Sequence, residues 1–172
     1  MRLTVHSDYA LRVLTYVAVA PGQVATVHEV AEAFRISHHH LVKVAHRLVK
    51  AGILEATRGR GGGLRLKLDP NAITVGDIIR ASEDDFAVVE CLGQARYCRI
   101  AGVCKFRELF RRALAAFFAV LDELTLADAV RNPDALRGAL DLTSALTTTR
   151  MGAQGSGPSL RKAPLLKTIR PG

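Results

Sequence analysis

The chain has 172 residues, of which 49% are hydrophobic and 5% aromatic. Its net charge is +8, and the excess of basic residues lies in residues 1–69 (ten basic, five acidic) and 134–172 (six basic, two acidic). Such a chain suits one domain with an appendage. Its basic first half favours a polyanionic partner, nucleic acid above all, although charge alone leaves an anionic membrane surface open. There is no signal-peptide pattern and no apolar run near the roughly 18–20 residues of a membrane-spanning helix, so we expect a cytoplasmic protein without a membrane partner.

The first half of the sequence predicts a helix-turn-helix. Helical spacing of apolar residues indicates a helix over residues 7–20, which a proline–glycine pair ends. Thr26 and Glu29 form a capping-box pattern that starts a short second helix. Ser37 is placed to cap a third helix, which carries an apolar stripe and stops at Gly52. Two short helices separated by a few residues are typical of a helix-turn-helix.

The start of the third helix is the predicted DNA-reading element. In this motif the second helix presents its N-terminal residues to base edges in the major groove. A solvated helix start without a partner is the plainer interpretation, and a metal site is disfavoured because three consecutive histidines point to different helix faces. The side chains expected to contact bases or phosphates are Ser37, His38, His39, His40, Lys43 and Arg47.

Residues 54–56 and 64–68 predict two strands with a glycine-rich connection. Arg58 and Arg60 lie in that connection and are expected to follow the minor groove or the backbone of DNA. A nucleotide-phosphate loop is disfavoured, because the GxxxxGK[ST] pattern is absent and a strand follows the connection. The predicted fold class is therefore mainly α with a small β-hairpin wing, a winged helix-turn-helix.

Two further capping patterns and a long apolar stripe organise the second half. Thr74 with Asp77 and Thr125 with Asp128 each predict the start of a short helix. Between them, an apolar stripe predicts a long helix over about residues 105–124. Because the small winged-helix core closes without this stripe, we interpret the helix as a dimer interface. A dimer can read two half-sites about one DNA turn apart.

All three cysteines, Cys91, Cys98 and Cys104, lie within fourteen residues. An odd number cannot pair completely as disulfides within one chain, and a reducing cytosol favours metal or redox chemistry. Basic and glycine neighbours are typical of a loop, which disfavours three buried core thiols. From the residues alone an iron–sulfur cluster leads, while a zinc site and a redox thiol switch stay open. Three ligands leave a fourth position that is either open or filled from elsewhere.

The predicted organisation is one DNA-binding and sensor domain over residues 1–131 and a flexible basic tail over residues 132–172. We expect disorder from about residue 146 onward, where Gly, Ser, Thr and Pro accompany scattered basic residues. No paired carboxylates, Ser/His pair or other catalytic constellation is evident, so we do not expect an enzyme.

Taken in order, these segments resemble the BadM/IscR/NsrR family of winged-helix regulators, and most closely its nitric-oxide-sensitive repressors. The resemblance covers about residues 1–131. It rests on Met-Arg-Leu-Thr at 1–4, Ser-Asp-Tyr-Ala-Leu-Arg at 7–12, His-His-Leu-Val-Lys at 39–43, Leu-Val-Lys-Ala-Gly-Ile-Leu at 48–54, Arg-Gly-Arg-Gly-Gly-Gly at 58–63, the three cysteines, and Leu-Asp-Glu-Leu-Thr-Leu-Ala-Asp at 121–128.

The resemblance implies a homodimer that binds palindromic operator DNA and represses genes of nitric-oxide detoxification. Each subunit would hold an iron–sulfur cluster, [4Fe-4S] first and [2Fe-2S] as the alternative, through Cys91, Cys98 and Cys104. Nitrosylation of the cluster would release the operator.

In some family members an N-terminal aspartate of the other subunit supplies the fourth ligand, and Asp8 matches that position. A carboxylate in the first turn of a helix is also favourable by itself, because it opposes the helix dipole. The IscR branch uses a histidine near its cysteines, whereas this sequence has no histidine after His46. The alternative function is a regulator that senses iron–sulfur supply or redox state through a [2Fe-2S] cluster. A zinc-stabilised DNA binder and a small electron carrier remain weaker alternatives.

Overall fold

The computed structural model describes residues 3–142 except Arg60, residues 93–97 and Ala101. It is mainly helical with one two-stranded antiparallel hairpin, which confirms the predicted winged helix-turn-helix followed by a long helix. No helix of the described residues is both long and apolar enough to cross a bilayer. The elements are α1 (Val5–Val19), α2 (Val27–Phe34), α3 (His38–Lys50), β1 (Leu54–Thr57), β2 (Gly63–Leu66), α4 (Val75–Ser82), α5 (Lys105–Asp122), α6 (Leu126–Ala129) and α7 (Pro133–Ala139), with 3-10 turns at Pro21–Gln23, Pro70–Ala72 and Glu90–Leu92.

The three predicted capping boxes all form, at the starts of α2, α4 and α6. At α2, the Thr26 hydroxyl accepts from the Glu29 N–H at 3.2 Å, while the Glu29 carboxylate accepts from the Thr26 N–H at 2.6 Å. Ser37 occupies the N-cap position of α3, but its side chain accepts no hydrogen bond from the helix. Arg35 adopts the left-handed conformation (φ 53°) and ends α2, which produces the turn of the helix-turn-helix.

Helix α1 lies at the centre of the fold and contacts α2, α3, α4, α6, α7 and β2. Its inward side chains Ala10, Leu14 and Val17 are fully buried, and Leu41 and Leu48 of α3 pack into the same core. Burying a Leu or Val side chain stabilises a fold by about 1.5–3 kcal/mol. This core therefore holds the inner face of α3 and leaves its outer face free for a partner.

The wing is joined to the start of α2 by a contact that the sequence pattern does not predict. β1 pairs with β2 from Leu54 opposite Leu66 to Thr57 opposite Gly63. Leu64 also exchanges two hydrogen bonds with Ala25, its N–H donating at 2.7 Å and its carbonyl accepting at 3.1 Å. The second strand ends at Leu66, two residues earlier than predicted, although one more hydrogen bond continues the pairing of the hairpin, from the Lys67 N–H to the Ile53 carbonyl at 2.9 Å.

Helix α5 is attached to the rest of the fold mainly near its C-terminal end. Both Asp122 carboxylate oxygens accept from the Arg80 guanidinium, at 2.9 and 2.6 Å. The hydrogen bonds from Arg80 hold the pKa of Asp122 below its ordinary value. The same guanidinium lies 4.5 Å from the ring centre of Phe118. By contrast, Phe106 near the N-terminal end is 70% exposed, and no residue of α5 is fully buried.

The first residues of the predicted tail form a helix. The Asn132 side chain caps α7 by accepting from the Ala135 N–H, and Pro133 occupies a first-turn position where its missing N–H costs nothing. Arg137 donates from Nε to the carbonyl of Val19 at 2.9 Å. The expectation of a flexible tail from residue 132 is therefore wrong for α7, because this segment caps itself and packs back on α1. The expected disorder from about residue 146 concerns residues outside the described part of the chain.

Candidate nucleic-acid interface and cysteine segment

The start of α3 presents a surface of exposed polar side chains. Ser37, His38, His39, His40 and Lys43 are all exposed, as their predicted role requires. The His40 ring stacks at 6.4 Å on Tyr9 of α1, and the His38 ring meets His28 of α2 edge-on at 6.5 Å. The apolar stripe on the opposite face of α3 is buried and fixes the direction of these side chains. Hydrogen-bonding groups are thus gathered at the end of the helix that enters the major groove in this motif.

Arg47 is placed differently from the other predicted DNA contacts. Its guanidinium donates to the Ser82 carbonyl at 2.9 Å and to the Asp84 carboxylate at 2.8 Å. The hydrogen bond from Arg47 holds the pKa of Asp84 below its ordinary value. The guanidinium thus joins α3 to residues 82–84, and its contact with bases or phosphates stays a prediction.

Residues 82–84, which we call the α4 exit, also bind the start of α1. The Glu83 carboxylate accepts from the Thr4 N–H at 2.8 Å, from the Thr4 hydroxyl at 2.9 Å and from the Ser7 hydroxyl. Partial burial raises the pKa of Glu83, but the hydrogen bonds from Ser7 and Thr4 bring it below its ordinary value. The α4 exit thus holds α1 and α3 together just before the cysteines. Nothing local in the sequence signals this role, since each partner lies far away along the chain.

The wing tip is a glycine-dependent turn. Arg58 is exposed directly after β1, while Arg60 lies outside the described residues. Gly59 and Gly61 have positive φ angles of 100° and 75°. A Cβ atom on Gly62 would lie 2.3 Å from the Thr57 carbonyl oxygen. The turn that displays Arg58 therefore needs glycine at this position.

Gly62→Ala is expected to distort the wing and weaken DNA binding while the helical core stays folded. The clash involves the backbone, so the hairpin tip must shift and Arg58 moves with it. Losing one phosphate contact lowers the salt slope of DNA binding by about one. We would measure DNA affinity by fluorescence anisotropy across salt concentrations, with circular dichroism as a check of helix content.

Gly138→Ala is the matched control, because an added Cβ there meets nothing within 4 Å. If the Gly62 variant and this control bound DNA with equal affinity, the wing would not be part of the DNA interface.

The cysteine segment, residues 91–104, is described in part. Cys98 is exposed, and Cys104 is half-buried at the N-cap position of α5, where its side chain makes no capping hydrogen bond. Cys91 lies in the turn Glu90–Leu92, but its side chain is outside the described residues, as are residues 93–97. Among the described side chains, no three His, Cys, Asp or Glu residues converge as a metal site.

The surroundings of Cys98 and Cys104 suit a metal group that is bound through cysteine sulfurs. Cys104 stands at the N-terminus of an 18-residue helix, whose unpaired N–H groups and dipole favour negative charge. The basic side chains of Arg99, Lys105 and Arg107 add positive charge nearby in the sequence. The positive charge at this end of α5 would complement a negatively charged group held by cysteine sulfurs, such as an iron–sulfur cluster.

Asp8 lies in the first turn of α1. None of the contacts described for it involves a cysteine. Its carboxylate pairs with Arg12 at 3.1 Å, and its side chain is 53% exposed. Its neighbour Ser7 is the residue that donates to Glu83 of the α4 exit. An exposed carboxylate at this place is available to a second molecule.

Comparison with known proteins gives consistent matches over most of the chain. The family model described as "Rrf2: Iron-dependent Transcriptional regulator" matches residues 3–132. The "HTH-type transcriptional regulator NsrR" of Bacillus subtilis (strain 168) is 44% identical over 136 residues, which is 78% of this chain and 93% of that protein. The protein of the same name from Shouchella clausii (strain KSM-K16) is 39% identical over 142 residues, 81% and 95% of the two chains.

Among solved structures, the chain is similar to CymR, described as the global cysteine regulator of B. subtilis. The two share 31% sequence identity with a TM-score of 0.61, over 76% of this chain and 97% of CymR.

Proposed function

Because this chain belongs to the Rrf2 family of transcriptional regulators, we propose that it is a nitric-oxide-sensing repressor that binds its operator only while it holds an iron–sulfur cluster. Family membership makes it a DNA-binding regulator of transcription and not an enzyme. The observation that carries the finer proposal is the α4 exit, which joins the predicted DNA-reading helix α3 to the chain just before the three cysteines.

Operator binding follows from the exposed start of α3 and from a second copy of the chain. The face of α5 that carries Phe110, Leu114 and Phe117 borders an apolar cavity of about 380 Å³ together with Leu3 and Val88. These three side chains are half-buried, while Phe106, Leu109 and Val120 of the same helix are exposed. Exposed apolar surface on a helix normally marks an interaction site. We propose that two copies pair along α5, so that two α3 helices reach half-sites about 34 Å apart on palindromic DNA.

The cluster would be held by Cys91, Cys98 and Cys104 of one copy and by Asp8 of the second. Four protein ligands suit either cluster type. The family resemblance favours [4Fe-4S], and [2Fe-2S] is the alternative. When bound, the cluster supplies iron that reacts with nitric oxide.

The chain's own residues supply the coupling to DNA. A change in the cysteine segment alters the position of the α4 exit, and Arg47 carries that change to α3 because it bonds to both Ser82 and Asp84. Glu83 carries the same change to the start of α1, beside Asp8. The state of the cysteine segment would therefore select between two positions of the DNA-reading helices.

Asp8→Ala is expected to weaken nitric-oxide-regulated operator binding and to make the bound iron more labile. The fold should persist, since exposed ion pairs such as that of Asp8 with Arg12 contribute only about 0.2–1 kcal/mol. Iron content and operator affinity before and after nitric oxide would be measured. Glu32→Ala, which removes another exposed helix carboxylate, is the control. Unchanged iron content and operator response in the Asp8 variant would exclude it as a ligand.

The experiment that tests the function is purification without oxygen, followed by a visible absorption spectrum, iron and sulfide assays, and titration with nitric oxide in the presence of operator DNA. We expect a broad visible band that nitric oxide bleaches, with loss of operator binding in parallel. A colourless protein, whether zinc-loaded or metal-free, would contradict the cluster. If operator binding responded to an oxidant or to loss of the cluster but not to nitric oxide, the result would favour the alternative function, a regulator that senses iron–sulfur supply or redox state.

A further inference from the structure

Four of the six histidines of the chain meet where α2 and α3 begin. The centre of the His38 ring of α3 lies 6.5 Å from that of His28 in the first turn of α2. The rings of His39 and His40 are 6.3 Å apart. All four side chains are exposed, and we call them the histidine cluster. The structure thus adds His28, a residue of another helix, to the three histidines that the sequence predicts as DNA contacts.

The docking geometry of a helix-turn-helix gives the histidine cluster a partner. In this motif the first helix crosses the DNA backbone, while the second helix enters the major groove with its N-terminal residues. These two helices are α2 and α3, so His28 and His38 meet at the border between the backbone and the groove. A protonated imidazole donates from both ring nitrogens and forms charge-assisted hydrogen bonds with phosphate oxygens.

We propose that the histidine cluster, with His28 as a further contact residue, binds DNA phosphates in its protonated form and makes the affinity for DNA rise as pH falls. Histidine is the side chain that ordinarily changes its charge between about pH 5 and 8. Because the DNA-bound form holds more protons than the free form, binding strengthens as pH falls and weakens as pH rises. The proposal rests on DNA binding through α3 and does not depend on nitric-oxide sensing.

The acidic neighbours of the cluster that the structure describes are two carboxylates of α2. Glu32 lies 3.4 Å from Nε2 of His28, and both side chains are exposed. Glu29 accepts from the N–H and the hydroxyl of Thr26 in the capping box. DNA offers a much denser row of anions, about one per 1.7 Å of helix axis. A protonated His28 can therefore exchange Glu32 for a phosphate when DNA binds.

The neighbours on α1 and α3 add little negative charge. The Tyr9 ring of α1 stacks on His40. Asp8, the carboxylate next to Tyr9 in the sequence, pairs with Arg12. On α3, exposed Lys43 is the next charged residue after the histidines and adds a positive charge. A polyanion is therefore the partner that this end of the helix-turn-helix suits.

A metal ion is the competing ligand for neighbouring imidazoles. Because a metal binds the neutral ring, its hold on the histidine cluster would weaken as pH falls. Protonation and metal binding therefore predict pH dependences of opposite sign.

The test compares the parent chain with His28→Gln and with two variants in which all four cluster histidines are replaced, by Gln in one and by Lys in the other. Gln can still form hydrogen bonds but stays neutral, whereas Lys stays charged at every pH used. The probe is a fluorescein-labelled duplex of arbitrary sequence, about 30 base pairs long, because phosphate contacts do not need the operator. Affinity is measured at about pH 6, 7 and 8 and at several salt concentrations.

His46→Gln is the matched control, since it removes an exposed histidine of α3 that lies outside the cluster, in the cavity beside Arg47. Iron content is determined at each pH, so that loss of a metal group is distinguished from an effect of protons. Nitric oxide is absent throughout, which keeps the outcome independent of the sensing proposal.

We expect the affinity of the parent and of the His46 control to rise by about tenfold from pH 8 to pH 6, since uptake of one proton changes an affinity by up to about tenfold per pH unit. The Gln variant should stay near the low affinity and the Lys variant near the high affinity at every pH. For His28→Gln we expect the rise to shrink to about threefold, as after losing one of two contributing imidazoles. If two imidazoles contact phosphates, the salt slope of the parent steepens by about 1.8 at low pH.

An equal rise in the parent and in the Gln variant would overturn the proposal, and so would a parent affinity that does not change with pH. An affinity that rises with pH would also overturn it and would favour a metal ion at the histidine cluster. A full rise in His28→Gln would overturn the assignment of His28 to the interface.

Discussion

Replacing Cys104 with serine is expected to abolish iron binding and operator regulation while leaving the apo-protein at least as stable as the parent. Cys104 is the N-cap of α5, and its side chain makes no capping hydrogen bond. Serine is among the preferred N-cap residues, worth about 0.5–2 kcal/mol relative to alanine, so the substitution favours the helix. The thiolate is nevertheless lost. Because even partners that only orient a metal ligand change affinity by about 10–100-fold, we expect at least a tenfold drop in iron per chain.

The substitution is expected to lower the iron content without lowering the stability of the apo-protein. Measuring both quantities therefore distinguishes a metal ligand from a residue that only supports the fold. Iron and sulfide content would be determined on protein purified without oxygen, and thermal unfolding would be followed on the same samples after chelation. Cys104→Ala is the matched variant. We expect it to lose iron to the same extent but to gain no helix stability, because alanine is not a preferred N-cap residue. Full iron content in both variants would remove Cys104 from the ligand set. Loss of iron together with loss of fold would assign the cysteine a structural role instead.

Replacing Arg47 with alanine is expected to leave the iron content unchanged and to uncouple operator affinity from nitric oxide. The bonds from Arg47 to Ser82 and Asp84 are the direct link between α3 and the α4 exit. Free energies of coupling between two sites are typically about 1–3 kcal/mol, or 5–150-fold in affinity. We expect the nitric-oxide-dependent change in operator affinity to fall to about threefold or less. Operator affinity before and after nitric oxide, on iron-loaded protein, measures this directly.

Asp84→Ala separates coupling from direct DNA contact. If Arg47 acts through the α4 exit, removing its carboxylate partner reproduces the effect of Arg47→Ala. If Arg47 instead contacted DNA, Asp84→Ala would release the guanidinium, remove a negative charge and strengthen binding in both states. Asp85→Ala is the matched control, since among the described residues the Asp85 carboxylate accepts only from the nearby Ala87 N–H, at 2.8 Å. A normal nitric-oxide response in both the Arg47 and Asp84 variants would disprove the link.

Local signals account for most of the fold that the sequence predicted. Capping boxes depend on residues three positions apart, so Thr26 with Glu29, Thr74 with Asp77 and Thr125 with Asp128 could all be recognised before the structure was known. The helix-turn-helix, the wing and the long helix likewise follow from periodicity and glycine placement. Helix α7 also carries readable signals, a capping Asn132 and a first-turn Pro133, but the surrounding polar composition obscured them.

Contacts between distant segments could not be predicted in the same way. Arg47 lies at an outward position of a helix thought to bind DNA, and no spacing rule connects it with Ser82 or Asp84. The bonds of Glu83 to Thr4 and Ser7 span more than seventy residues. Such partners emerge only once the core has fixed how α1, α3 and α4 approach one another. The role of the α4 exit could therefore be recognised only from the three-dimensional arrangement.

The one-sided attachment of α5 has a consequence for local opening of the helix. Near its C-terminal end, Asp122 and Phe118 are held by Arg80, whereas Phe106 and Leu109 at the other end are largely exposed. Backbone amides in weakly packed turns exchange with solvent through small openings, while those in anchored turns need larger ones. In the isolated chain, amide hydrogen exchange should therefore be fastest around residues 105–110 and slowest around residues 118–122. Holding a metal group at Cys104 would slow exchange first at the end of α5 that the fold itself leaves loose.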